Sequence, residues 1–171
     1  MPANKISLDK AKQNKLFYFV ANVVIFRDED SKFLILKRSE NETVHPGKWA
    51  IPGGKLEWSD LEITKTTHLH DHVYDFENAI EDLLKREAME EAGVKIAGPF
   101  LFIKDVAFVR PDGIPVMLVS FAAHYHSGEV KLEEEAFSDY MWVSKEELGS
   151  YDLIEGVDGE IKKALELFGS H

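Results

Sequence analysis

Apolar positions along the chain fall into runs of two different periods. From Phe17 to Phe26 the run FYFVANVVIF is dense in β-formers, the charged stretch Arg27–Ser31 reads as a turn, and Lys32–Lys37 alternates as a return strand. The pair predicts a hairpin. Ser39–Lys48, polar and carrying Pro46 and Gly47, reads as a loop before a short apolar strand, Trp49-Ala50-Ile51, which runs into a Gly53-Gly54 turn. A helical period then predicts a central helix from an N-cap near Asp75 to Gly93, a residue suited to a left-handed C-terminal cap. Phe100–Arg110 and Val116–His126 are predicted strands joined by the turn Pro111-Asp112-Gly113, and Tyr140–Val143 is a final short strand. Ser144-Lys145-Glu146-Glu147 fits a capping box, and Gly156–Phe168 has the spacing of a closing helix. Strands dominate, with one long helix between them, so the class is α+β: a mixed sheet sandwiched by helices. Internal repeats and low-complexity tracts are absent from the sequence.

The central helix carries the first unusual chemistry. At ~100° per residue, Ile80, Leu83, Leu84, Glu87, Glu90 and Glu91 share one sector, so the apolar stripe turns acidic over the last turns. Like charges at these spacings repel by about 0.2–0.5 kcal/mol per pair, and acids near a helix C-terminus oppose its dipole. A hard divalent cation held by carboxylate oxygens would reverse both effects. The plainer alternative is a solvated acidic face in which Arg86 pairs with Glu90 at i,i+4. Upstream, Gly53 and Gly54 permit positive φ and allow another group to approach the backbone closely, the plainer alternative being an ordinary strand-ending turn.

Taken together, Gly54, Arg86, Glu87, Glu90, Glu91 and Gly93, with Ala88 and Val94 in the apolar places, resemble the signature of the Nudix hydrolases. The resemblance extends from about Phe17 to the closing helix. One departure is large: the family leaves 13 residues between the signature Gly and Arg, whereas residues 55 to 85, 31 in all, intervene here, an insertion of 18 assigned to about 59–75. The family also places a Glu six residues after the Gly, where this chain has Asp60, and counting back from Arg86 reaches Asn78 instead. Asp60, Glu77 and Glu57 are the alternatives for that acid.

The resemblance implies an α/β/α Nudix sandwich in which a loop-helix-loop presents the acids, built as a single domain over residues 1–171. It further implies hydrolysis of the diphosphate linkage in a nucleoside diphosphate joined to a group X, with Mg²⁺ or Mn²⁺ as cofactor. Glu87, Glu90, Glu91 and a Gly54 carbonyl are the expected metal ligands; Glu87, Arg86 and Glu90 are the expected catalytic group, Arg86 acting as an orienting arginine. The base is expected to be Glu87 or an acid on a later loop, for which Glu135 among Glu133–Glu135 is the first assignment. Arg38, Lys55 and Glu57 are candidate substrate-binding residues. An oxidised purine triphosphate, another nucleoside triphosphate, ADP-ribose and a dinucleoside polyphosphate all fit as substrate. A nucleotide sensor without turnover is the alternative function, kept open by the Asn78 departure; an isomerase of this fold working through cysteine is excluded, because the chain has no cysteine.

Composition narrows the partners. Twenty basic against 31 acidic side chains give a net charge of −11, which disfavours duplex nucleic acid and anionic lipid and obliges a polyanionic substrate to rely on a cationic intermediary. No apolar run approaches the ~20 residues of a membrane span, and Met1–Lys15 lacks a signal-peptide core, so a soluble cytoplasmic protein is expected, with a homodimer left open. Within the insertion, His68, His70 and His72 would share one side of an extended strand and could grip a transition metal, although a polar lid over the substrate that selects X is the stronger expectation. Phe17, Phe19, Trp49 and Phe121 are candidates to stack a base, with the core as the commoner fate of strand aromatics.

Overall fold

The computed structural model describes residues 1–7 and 9–169 of the chain; the Leu8, Ser170 and His171 portions of the expected 1–171 domain lie outside the described residues. Strands β1 (Tyr18–Arg27), β2 (Lys32–Arg38), β3 (Trp49–Ala50) and β4 (Gly53–Lys55) precede a small hairpin, β5 (His68–His70) and β6 (Val73–Asp75). Helix α1 (Ala79–Ala92) follows, then β7 (Lys95–Val109), β8 (Pro115–Ser127), β9 (Phe137–Val143) and helix α2 (Val157–Gly169). The main sheet runs β3-β2-β1-β8-β7, with β4 added to β1 and β9 added to β2. β1 and β8 are parallel and the other pairs antiparallel, so the sheet is mixed.

Burial explains why β1 and β2 read as continuous apolar runs. Phe33, Leu34, Ile35 and Leu36 are all fully buried, as are Val23, Val24 and Ile25. Alternation survives only as a choice of face. Val23, Ile25, Leu34 and Leu36 pack with Leu83, Leu84, Ala88 and Ala92 of α1, whereas Val24, Phe26, Phe33 and Ile35 pack with Val157, Ile161 and Ala164 of α2. The result is the expected α/β/α sandwich, one helix on each face.

Local signals match where local chemistry decides. The 27–31 hairpin turn, the 111–113 turn, the Gly93 cap (φ 69°, its N–H donating to the Met89 carbonyl and the following Val94 N–H to the Ala88 carbonyl) and the Ser144/Glu147 capping box all form. Several boundaries move. Helix α1 starts at Ala79 behind Asn78, which adopts φ 60° and makes no side-chain cap, because Asp75 is claimed by β6: its carbonyl accepts from the Thr67 N–H at 2.8 Å and the Thr66 hydroxyl at 2.7 Å. Strand β7 begins at Lys95, ahead of the expected Phe100, carried by register shifts against β8.

The insertion folds as two single 3-10 turns, Trp58–Leu61 and Ile63–Lys65, followed by the β5–β6 hairpin. Asp71 and His72 form its turn at φ 47° and 65°, so His72 leaves the strand and the side expected to hold three histidines. His70 pairs with Asp75, and His68 lies 3.6 Å from Glu77. Among the described residues no helix is long and apolar enough to cross a membrane.

On the face away from the acids, Glu160 of α2 is 4% exposed, accepts from the Ser120 hydroxyl at 2.8 Å and pairs with the Lys104 ammonium at 3.2 Å, pinning the helix to β7 and β8. Around that pin the contact is apolar, and Ile161 is fully buried in it. Ile161→Ala should lower unfolding free energy by about 2–5 kcal/mol in urea titration, with the cleft on the opposite face intact.

Candidate active site

The sheet opens where β1 changes partners. Its C-terminal end pairs with β2 at Phe26 and Arg27, but Val20, Ala21 and Asn22 pair instead with Lys55, Gly54 and Gly53 of β4. The Val23 N–H bonds to the Pro52 carbonyl at 2.9 Å and the Leu56 N–H to the Phe19 carbonyl at 2.8 Å, which fixes β4 on both flanks. This inserted strand is what α1 lays its acids on.

Glu87 is 9% exposed and sits directly on Gly54: a Cβ there would come within 2.7 Å of its Oε2 and nearer still to its other carboxylate atoms. The neighbouring Gly53 N–H donates to Glu91 Oε2 at 3.1 Å. Neither glycine has positive φ. Close approach of the acids, rather than a turn conformation, is therefore what requires glycine here.

Burial dominates the electrostatics. It pushes the Glu87 carboxyl up to about 7 against the pull of Arg86, with Glu90, Asp60 and Glu133 adding to the rise. Burial likewise pushes Glu91 up to about 8; the Gly53 N–H and Arg38 oppose this, while Glu87 and Glu133 reinforce it. Glu90 is exposed at the edge of the group. Among the described residues no three His, Cys, Asp or Glu side chains are already gathered as a metal cage. What the fold places in advance is the Glu87–Glu91 pair on its glycine strand.

Arg86 does not pair with Glu90. Its Nη2 lies 3.0 Å from Glu87 Oε1 and donates to Asp60 Oδ2 and the Lys55 carbonyl, each at 3.3 Å. Asp60 Oδ2 also accepts the Glu57 N–H at 2.7 Å. Of the alternatives for the acid six residues after Gly54, the structure brings Asp60 to Arg86; Glu77 stands beside His68, and Asn78 begins the helix.

Other expected residues are spread around this centre. Arg38 donates from Nε to the Val44 carbonyl at 2.7 Å and from Nη2 to Glu42 at 2.9 Å, so its guanidinium is held by the 39–48 loop. Lys55 and Glu57 line a cleft on the far side of β4. From the later loop it is Glu133, in place of Glu135, that acts on Glu87 and Glu91; its N–H donates to the Glu91 carbonyl at 3.1 Å. Choosing among the three acids needed the loop's register on the helix end, which a run of identical residues does not carry. Trp49 is core, packed edge-on to Tyr151.

These positions bear comparison with known proteins. The NUDIX domain family model matches residues 18–168. Over 133 residues the chain is 32% identical to the nucleoside triphosphatase NudI of Escherichia coli strain K12, covering 72% of this chain and 81% of that protein. The MutT protein from Methanosarcina mazei Go1 superposes with a TM-score of 0.62 at 24% identity, over 89% of this chain and 95% of its own. The NUDIX domain of Shewanella oneidensis NrtR, solved with ADP ribose, gives a TM-score of 0.69 at 17% identity, over 94% and 96%. Because the sequence match runs from the start of β1 into α2 and takes in both halves of the interrupted signature, the chain belongs to the NUDIX family and is a Nudix hydrolase.

Proposed function

We propose that this chain hydrolyses the diphosphate linkage of a nucleoside triphosphate, as one form of nucleoside diphosphate joined to X, with Mg²⁺ or Mn²⁺ as cofactor and as a single domain. The observation that carries the reading is the pair Glu87, buried on Gly54, and Glu91, half-buried and bonded to the Gly53 N–H, with carboxyls raised to about 7 and 8. Two acids in that condition fit a hard divalent cation, because oxygen donors already desolvated and crowded gain most from a positive charge. Support for the substrate class comes from the NudI relatives, which are nucleoside triphosphatases.

Glu87, Glu91 and Glu90 would hold the ion, with the Gly54 carbonyl beside them. When bound, it neutralises phosphate oxygens and lowers the pKa of a coordinated water. The chain's own contribution is orientation. Arg86 fixes Glu87 by an ion pair and is itself held by hydrogen bonds to Asp60 and the Lys55 carbonyl. Glu87 and Glu133 are the acceptors the geometry offers for the proton of the attacking water. Lys55 stands one residue beyond Gly54, positioned to meet phosphate charge.

Three outcomes test this. Glu91→Gln should retain the fold and lose at least about 100-fold in kcat for pyrophosphate or phosphate release over a nucleotide panel; full activity in that variant would end the reading. Asp60→Ala should cost about 10–100-fold in kcat, with Asp60→Glu restoring most of it, because the loss acts through Arg86. Stability should depend on pH in a stated direction. Carboxyls raised from the usual 4.5 to about 7 and 8 make the folded state bind more protons than the unfolded one, so metal-free stability falls as pH rises from about 5 through 8. Mg²⁺ should raise the thermal midpoint more at pH 8 than at pH 5, and Glu91→Gln should flatten the metal-free profile.

A further inference from the structure

The acids account for one side of β4 and leave the other unexplained. There a cleft of about 720 Å³ is walled by Phe17, Tyr18 and Phe19 at the start of β1, Trp58 and Leu61 of the first insertion turn, and Ile114 beside β8. Phe17 is 55% exposed, Trp58 51% and Tyr18 43%, a concentration of aromatic faces that a water-facing surface rarely carries without an occupant. The volume lies within the ~300–1,000 Å³ usual for small-molecule sites.

We propose that this cleft seats the nucleobase of the substrate, stacked on Trp58 and Phe17, so that the insertion takes part in choosing the nucleotide. The inference rests on the nucleotide reading above. Two observations favour a base over a lipid or a second chain. Cations stand on its wall in a chain of net charge −11: Lys55 Nζ is 5.4 Å from the Tyr18 ring and the Arg110 guanidinium 5.9 Å from the same ring. Lys55 also links the cleft to the acid cluster along the chain: it lines the cleft, follows Gly54 directly, and gives its carbonyl to Arg86. A base among the aromatics would thus have its phosphates pass Lys55 toward Glu87. Asp60, in the same turn as Trp58 and Leu61, bonds Arg86, which ties the pose of the base wall to the catalytic helix.

Calorimetric titration of the four nucleoside monophosphates and of inorganic pyrophosphate, all with Mg²⁺, tests the assignment on wild type, Phe17→Ala, Trp58→Ala and Trp58→Phe. Both alanine variants should weaken nucleotide binding roughly tenfold, within the range for base–aromatic stacking, and leave pyrophosphate affinity unchanged, whereas Trp58→Phe should keep most of the affinity that Trp58→Ala loses. A measurement on the wild-type chain avoids any question of folding. Of the three tryptophans, Trp49 is 9% exposed and Trp142 is half-buried beneath Arg27, against 51% exposure for Trp58, so the acrylamide-accessible fluorescence is weighted to Trp58, and saturating nucleotide should reduce its quenching where pyrophosphate does not. Unchanged nucleotide affinity in the variants, unaltered quenching, or equal loss for pyrophosphate overturns the proposal. Wild type that binds pyrophosphate but no nucleotide also overturns it while leaving diphosphate hydrolysis standing. Aromatic-dependent nucleotide binding without turnover does the reverse.

Discussion

The contact of the Glu87 carboxylate with the bare backbone at Gly54 constrains everything around it. To lay an acid on a strand, that strand must lack side chains, must be held on both flanks, and must be reached by a helix whose bulky apolar side chains end one turn earlier, leaving only alanines such as Ala88 and Ala92 in the core beyond. β4 meets the first two conditions through its glycines and through its hydrogen bonds with β1. Helix α1 meets the third, since Leu83 and Leu84 are buried in the core immediately before Glu87. The Gly93 cap then turns the chain into β7, and Glu133 returns on the 128–136 loop to bond the helix end at Glu91. Each device is ordinary by itself. Their common product is a group of acids kept close together on a rigid seat.

Such a seat tolerates the insertion because of where the chain is cut. Residues between Lys55 and Asn78 leave from the end of β4 and re-enter at the start of α1, both at the surface, and lengthening a surface connection adds only slowly to its closure entropy. The cost would fall on Arg86 if its supporting acid were carried away. Here the first turn of the insertion, Trp58–Leu61, keeps Asp60 in place by bonding its carboxylate to the Glu57 N–H, so the shorter Asp reaches the arginine that a longer side chain would otherwise meet. The remainder, hairpin included, lies beyond that anchor.

What could be read in the sequence follows from the range of the forces involved. The 111–113 turn, the Ser144–Glu147 box and the Gly93 cap depend on residues three or four apart, and all form as read. The acid stripe and the Gly-Gly step were visible as separate oddities; their meeting became legible only through family resemblance, because a separation of 33 residues between Gly54 and Glu87 has no periodic signature. Three readings failed for the same reason. Asp75 has the chemistry of an N-cap, but a hairpin partner took it; His72 has strand spacing, but a two-residue turn removed it; Glu135 belonged to the right loop, but the loop's register favoured Glu133. In each case a tertiary pairing overrode a local preference.

Placing acids at the C-terminal end of α1 is the least favourable choice for the helix alone, since the dipole there is already negative. At the N-terminus the same carboxylates would be stabilised by free N–H groups and would gain little from any added ion. At the C-terminus, desolvated and opposed by one another, Glu87 and Glu91 hold their protons up to about 7 and 8, and the one Arg86 nitrogen that reaches Glu87 is shared with Asp60 and the Lys55 carbonyl. That shortfall leaves the largest unmet demand for positive charge where β4 and α1 meet. A small hard cation held there, as the proposed function requires, would draw its affinity from that shortfall, so that local instability of the helix end would become the source of binding.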